Sequence, residues 1–517
     1  MKNHLSPSSA PALTPPTAPR GSALLYGATL AVALLALPLL SGCADMAGID
    51  SHARMRDPVS LGLAAAPSSG ADAAVQPQTA VSADWWRSFG DAQLDALITQ
   101  ALQGNPGLQQ AAARIARAEA FADTARAAQS PQVNGSLDAT RQRYSANGPY
   151  PPGQAGAIRS VETARLSGSW ELDFFGKHRA ALAAALGEAQ AARADAEAAR
   201  LLLASRVAQG YFQLARLQAQ RAVAERTLQQ RTEMLQLVQR RVQAGLDTQL
   251  ELRQSEGALP EARQQIEALR EQEALARNAL GALIADPQTA QTLTPQALAA
   301  IHFSETPAAV PADLLGRRPD VAAARWRVEA ATQDMGVARA QFYPNVSLTA
   351  FVGLASVGLD RFIEAGSREW GVGPALRLPI FDAGRLRANL RGKAADRDAA
   401  VESYNAALLE AVRDAADQLA SSSSIARQIA EQRQAGESAQ AAYGIARRRY
   451  EAGLGTYLQV LSAESQVLAQ RRLAVDLAAR RLDNQVGVMR ALGGGYAATP
   501  PPTAQAPQAA PTVAAAR

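Results

Sequence analysis

The 517-residue sequence has one cysteine, four histidines and an aromatic content of only 5%. A single cysteine excludes an internal disulfide framework. His4, His52, His178 and His302 are scattered without metal-ligand spacing, so no resident metal is expected. Gly493–Gly495 lacks the Lys-Ser/Thr of a phosphate loop, no nucleophile–base signature appears, and the acids follow helix-face spacing rather than pairing. Neither an enzyme nor a cofactor is expected. The 48% apolar content is mostly Ala and Leu, and with so few aromatics it favours long helices and narrow helix–helix seams. A net charge of +5 could suggest nucleic acid. The arginines, however (Arg447–Arg449, Arg471–Arg472, Arg480–Arg481), lie among acids with no interleaved aromatics. They read as a solvated helical face, with no nucleic-acid partner.

No apolar run is long enough for a convincing membrane-spanning helix. The best, Leu24–Leu40, is broken by Pro38 and follows a polar leader with Lys2 and Arg20. It reads as a secretion signal ending in Leu40-Ser41-Gly42-Cys43, which fits a bacterial lipobox with Cys43 as the lipid-modified first residue of the mature chain. An ordinary signal with an incidental cysteine is the alternative. Ala44 is compatible with sorting to an outer membrane, where the chain would be lipid-anchored and extend into the periplasm.

What the chain does have is a repeat. Residues 240–256 read RRVQAGLDTQLELRQSE and residues 448–464 read RRYEAGLGTYLQVLSAE; eight of the seventeen positions are identical, 208 residues apart. ARAAQSPQV ending at Val133 likewise matches ARAQFYPNV ending at Val346. Two tandem copies of one unit are implied. In each turn Gly245 or Gly453 stands where a helix would end in a left-handed cap, and Thr248 or Thr456 where the next would be N-capped. Each turn is the tip of a helical hairpin.

The expected order begins with residues 1–42 as the lipoprotein signal and 43–105 as a lipid-anchored tether and first equatorial helix. Trp85 and Trp86 are expected as packing anchors, with Leu94, Leu97, Ile98, Ala101 and Leu102 on one helix face. Residues 106–290 form repeat 1, with strands about 133–144 and 161–174 and a helical hairpin about 177–284. A Pro-containing connection covers 291–317. Repeat 2 covers 318–495, with strands about 345–355 and 370–380 and a hairpin about 385–492, and 496–517 is a disordered tail.

The strands show period two: Ala164, Leu166, Gly168, Trp170 and Leu172 alternate with Arg165, Ser167, Ser169 and Glu171, and Val346–Leu354 repeats the signal. Such strands fit an outer-membrane barrel or a soluble half-buried hairpin. The helices, of about 100 Å at 1.5 Å per residue, exceed what a compact domain needs. Leu461, Leu468, Val475, Leu482 and Met489 form a heptad seam, echoed by Leu228, Leu235, Val238 and Val242. Pro260 should kink its helix, and Ser421–Ser424 interrupts another. Four strands cannot close a barrel, and open edges cannot sit in lipid, so several chains must join. Three would give twelve strands above twelve helices, which is a tube.

The chain resembles the outer-membrane factor (TolC-like) family, most closely the NodT/OprM-type outer-membrane lipoproteins of multidrug efflux systems. The resemblance runs from Trp85-Trp86 to Gly493-Gly494-Gly495. It is carried by Leu314-Leu315-Gly316-Arg317-Arg318-Pro319-Asp320, Gly336-Val337-Ala338-Arg339-Ala340, Phe342-Tyr343-Pro344, Ile380-Phe381-Asp382-Ala383-Gly384-Arg385 and Arg449-Tyr450-Glu451-Ala452-Gly453. It implies a mainly α fold of two repeats, each with a membrane β-hairpin and a periplasmic coiled-coil hairpin, built as a homotrimer with a 12-stranded β-barrel and an α-helical barrel. It implies a passive conduit for drugs or other small molecules, fed through a periplasmic adaptor by an inner-membrane pump, usually of the resistance-nodulation-division type, with a major-facilitator or metal-exporting partner as the alternative. By the same resemblance the adaptor grips Gly245, Leu246, Asp247 and Thr248 with Gly453, Leu454, Gly455 and Thr456. The periplasmic gate falls at Leu458, with Ser462 where the family carries an aspartate, which puts an acidic gate ring in doubt. Leu458 as a seam residue facing its own hairpin is the plainer alternative. A periplasmic adaptor would have one hairpin flanked by small β-domains, and a non-conducting coiled-coil scaffold would need no alternating strand pairs.

Overall fold

A computed structural model describes residues 45–57, 81–302 and 317–497. The signal segment, Cys43, most of the tether, Leu314–Gly316 and the tail beyond 497 lie outside the described residues. Two compact units form. One holds Pro131–Phe175 and Ala338–Gly392 with residues 45–50, and the other holds Ser51–Ser130, Gly176–Val337 and the chain from Lys393 onward.

The first unit is a four-stranded antiparallel sheet in the order β1-β2-β3-β4: β1 (Gln132–Arg143), β2 (Ile158–Leu172), β3 (Asn345–Val357) and β4 (Arg368–Arg377). The central pairing, β2 with β3, joins the two repeats, and β1 and β4 are left as open edges. Register decides what the sheet can do. Gly135, Leu166, Val352 and Trp370 stand side by side across the four strands, as do Val133, Gly168, Ala350 and Val372. The period-two signals of all four strands therefore fall on one face. Leu137, Leu166, Trp170, Val352, Trp370, Val372 and Leu376 remain exposed there in the single chain. The opposite face carries Asn134, Ser136, Asp138, Thr163, Arg165, Ser167, Thr349 and Glu369. Apolar on one side and polar on the other is what a lipid-facing, water-lined barrel wall requires.

On the polar face Arg165 reaches over β3 to Glu369 on β4, with Nε and Nη2 at 2.9 and 2.5 Å from the same carboxylate oxygen. Its guanidinium stands 4.5 Å from the Phe351 ring centroid. Gly353 stands between them in the same cross-strand row, and a Cβ there would come within 2.4 Å of the Ala164 carbonyl oxygen.

The second unit is helical. After a 3-10 turn at Trp85–Phe89 come α1 (Ala92–Gly104), α2 (Pro106–Ala127), α3 (Lys177–Gln243), α4 (Gln249–Ile284), α5 (Pro287–Gln291), α6 (Pro319–Ala340), α7 (Arg385–Glu451) and α8 (Tyr457–Ala491). α3 and α7 have 67 residues each, about 100 Å of helix. Pro260 lies within an uninterrupted α4. Ser421–Ser424 does not interrupt α7, correcting the expectation above. Serine costs a helix interior only tenths of a kcal/mol, and the Ser423 hydroxyl is satisfied by the Ala420 carbonyl at 3.0 Å.

The main core packs Trp85, Trp86, Phe89, Leu94 and Ile98 against Val207, Tyr211 and Phe212 of α3, Leu280 of α4 and Val486 of α8. A second core joins Val321 and Val328 of α6 to Val401, Tyr404 and Leu408 of α7 and Val488 of α8. Buried Asp91 caps α1, accepting from the Gln93 and Leu94 amides at 2.9 and 3.3 Å, and takes the Tyr211 hydroxyl at 2.7 Å. Asp91→Ala removes a cap and one of two acceptors of the Tyr211 hydroxyl, which keeps Gln93 Oε1 at 3.1 Å, so a loss of about 2 kcal/mol is expected. Denaturant titration of Asp91→Ala beside Asp91→Asn, which keeps the cap, checks this.

Two boundaries differ from expectation. Residues 51–57 are not free tether but lie along α7: Asp398 accepts from the His52 and Ala53 amides at 3.0 and 2.9 Å, and Asn405 Oδ1 accepts from Arg56 N at 2.9 Å. The described chain also runs past 495, with Tyr496 packed against a cluster of Ala194, Ala322 and Ala323.

Candidate functional site: the paired hairpin tips

Both tips adopt the geometry their residues dictate. Gly245 and Gly453 have φ of 75° and 74°, the left-handed region that glycine enters without a Cβ penalty. One residue on, Leu246 N donates to the Arg241 carbonyl and Leu454 N to the Arg449 carbonyl, each at 2.8 Å. These are the six-to-one bonds of a Schellman cap. Thr248 and Thr456 then start α4 and α8 with capping boxes closed by Glu251 and Gln459. The leucines gain no burial from this. Leu246 is 65% exposed and Leu454 71%. Each capped turn therefore holds one leucine out in solvent.

The two tips differ at one position, and that difference links them. Asp247 has Gly455 as its counterpart. Its carboxylate accepts Arg241 Nε at 2.9 Å and Nη2 at 3.3 Å within hairpin 1, and also the Tyr450 hydroxyl of hairpin 2. The Arg241 guanidinium lies 4.7 Å from the Tyr450 ring centroid. Burial pushes the Asp247 carboxyl up, but the bonds from Arg241 and Tyr450 outweigh it and hold the group below the usual carboxylate range. Burial, and then the bond to Asp247, pushes the Tyr450 phenol up. Beneath this cluster Met234, Val238, Tyr443, Tyr457, Val460 and Val467 make the core that joins the hairpins.

Tyr450 and Arg241 were not singled out from the sequence as site residues. A signal existed: Tyr450 replaces Val242 at the equivalent place in the repeat, beside a charge found in only one copy.

Leu458 is 67% exposed, so it does not face its own hairpin; its repeat-mate Leu250 is 63% exposed. Ser462 is also exposed, and its carbonyl accepts the Ser465 hydroxyl. The nearby acid, Glu464, is buried, with Arg231 Nε of α3 3.4 Å away, and burial raises its carboxyl despite that partner. Glu464 and Asp247 are thus both engaged within the chain rather than presented beside Ser462. The heptad residues Leu461, Leu468 and Val475 are only half-buried, whereas Val460 and Val467 one residue earlier face inward. Cys43 lies outside the described residues.

One chain that holds a four-stranded sheet with a lipid-type face and two long helical hairpins has the parts of a channel-forming outer-membrane protein. The outer membrane efflux protein family matches residues 97–286 and 310–494, and the chain belongs to that family. It is 34% identical to the pyoverdine export outer membrane protein OpmQ of Pseudomonas aeruginosa, over 89% of this chain and 97% of that one. It is 40% identical to the fusaric acid resistance protein FusA of Burkholderia cepacia, over 70% and 68%. Among solved structures it matches the outer membrane protein VceC of Vibrio cholerae with a TM-score of 0.76 and 36% identity, over 81% of this chain and all of that one. The chain is an outer-membrane efflux channel protein, and the adaptor and scaffold alternatives fall away.

Proposed function

We propose that three copies close one channel, anchored through lipid on Cys43, which passively conducts small molecules delivered by an inner-membrane pump and a periplasmic adaptor. The sheet's two open edges carry this reading most directly. Unpaired backbone cannot face lipid, so β4 of one copy must pair with β1 of the next, and three copies give twelve strands. Leu461, Leu468 and Val475, half-buried in the single chain, would supply a seam for a neighbouring helix, whereas Leu482 of the same row is buried in the chain's own core. The adaptor would grip Gly245–Thr248 and Gly453–Thr456, where rigid caps hold Leu246 and Leu454 outward. Leu458, with Leu250 beside it in the repeat, would form the apolar constriction, and Ser462 would leave it without an acidic ring. Transport energy would come from the pump, because the channel has no chemistry of its own to supply it. The names of the two relatives point to different compounds, pyoverdine and fusaric acid, which fits selection by the pump rather than by a wide tube.

Purified protein reconstituted in a planar bilayer, with its mass measured in parallel, tests the assembly. A trimer with rare, small openings is expected. Leu458→Ser should raise the leak severalfold while leaving the trimer mass unchanged; an unaltered leak removes Leu458 from the gate, and a monomer without conductance sinks the channel.

A further inference from the structure

The sheet's apolar face ends in three arginines at its loop side. Arg141 and Arg143 lie on β1 in the same alternation as Val133, Gly135 and Leu137; Arg368 lies on β4 in the same alternation as Trp370 and Val372. All three are exposed, and among the described residues none of their side chains makes a hydrogen bond or ion pair. The polar face is different: Arg165 is held by Glu369, and Arg159 Nη2 donates to the Gly153 carbonyl at 3.3 Å. The acid on the apolar-face side, Glu162, is buried and lies 3.5 Å from the Ser356 hydroxyl. Cationic side chains on a lipid-facing wall are costly at mid-bilayer and tolerated at its edge, where they can reach headgroups.

We propose that Arg141, Arg143 and Arg368 bind the phosphates of outer-leaflet lipid headgroups, at the seam where β4 of one copy meets β1 of the next. This rests on the trimeric channel reading, in which the loop ends of the strands face outward. The arginines occupy opposite edges of one sheet, so closing the barrel gathers them into three composite sites. Guanidinium suits phosphate through paired, charge-assisted hydrogen bonds. A lipid fits better than free phosphate because the apolar surface continues directly below. Arg368 shares its cross-strand row with Leu137, Ala164 and Leu354, and Trp370 and Val352 fill the next row but one down the strands. Head and acyl chain thus both find a surface.

The test titrates the purified full-length trimer with diphosphorylated lipid A, its dephosphorylated form and inorganic phosphate, in low and high salt. Wild type should bind the diphosphorylated lipid most tightly and lose affinity with salt. Each arginine near a headgroup is worth about fivefold, so the Arg141→Gln, Arg143→Gln, Arg368→Gln variant should lose roughly a hundredfold. The corresponding triple lysine variant, which keeps the charge and loses the paired donors, should fall between the two. Equal binding by wild type and the triple Gln variant, or equal binding of wild type to the dephosphorylated lipid, overturns the proposal. Inorganic phosphate competing as strongly as the lipid reduces the site to a simple anion site and also overturns it. Mass and conductance are recorded on the same samples. A conducting trimer that ignores lipid phosphate refutes this site alone, whereas a monomeric wild type refutes the channel reading and the seam site with it.

Discussion

Asp247→Ala is expected to loosen the two hairpin tips, leaving the apolar core beneath to join them. The substitution strands Arg241 and removes the bond that holds Tyr450 of the second hairpin to the first. A charge-assisted hydrogen bond is worth about 1.5–3 kcal/mol, so the closed-to-open balance should shift by roughly 10- to 100-fold. The expected readout is a large rise in single-channel open probability and, in cells, sensitivity to bulky hydrophilic antibiotics. Tyr450→Phe, which removes one bond and keeps the ring over Arg241, should show a smaller rise. Equal conductance in Asp247→Ala and wild type would refute the cluster's role as a latch. The pH dependence follows from the same group. A carboxyl held below its ordinary range contributes stability above about pH 4, and that contribution is lost as pH falls through the depressed value. The raised Tyr450 phenol keeps its proton throughout. The Asp247 link should therefore be indifferent to pH above the ordinary carboxylate range and loosen only in stronger acid.

Gly353→Ala should abolish assembly. The added Cβ meets the Ala164 carbonyl oxygen at 2.4 Å and Arg165 Cα at 3.1 Å, both backbone atoms of the neighbouring strand. Strands cannot yield as a flexible side chain does, so the β2–β3 ladder must open at the centre of the sheet. A cost of about 3 kcal/mol is expected. Gly373→Ala is the control, since nothing lies within 4 Å of a Cβ at that position. Heat-stable trimer recovered from membranes should vanish in the first and persist in the second. Normal recovery of Gly353→Ala would mean that the sheet can shift at this point.

Local features were the legible ones. A helix cap is decided within about six residues, so Gly245, Thr248, Gly453 and Thr456 announced both tips, and strand alternation announced the apolar face. What sequence reading missed depends on partners far apart in the chain. Nothing near Arg165 points to Glu369, and nothing near Asp247 points to Tyr450. The break expected at Ser421–Ser424 failed for the opposite reason: a weak local preference was overruled by the packing of α7. Segment 51–57 was read as tether from its composition alone, whereas it is fixed by side chains of Asp398 and Asn405 that composition cannot announce.

The pairing of β2 with β3 also sets the order in which the protein can form. Its partners are 174 to 196 residues apart, from Leu172 with Val346 to Val161 with Val357. A two-stranded hairpin is marginal by itself, so β1 and β2 must wait until the second repeat has been delivered. Contacts of such high order close slowly, and until they close the first hairpin exposes Leu137, Leu166 and Trp170 with unpaired backbone beside them. The dangerous interval in this protein's life is thus its passage to the membrane, when half of the wall exists and the other half has not arrived.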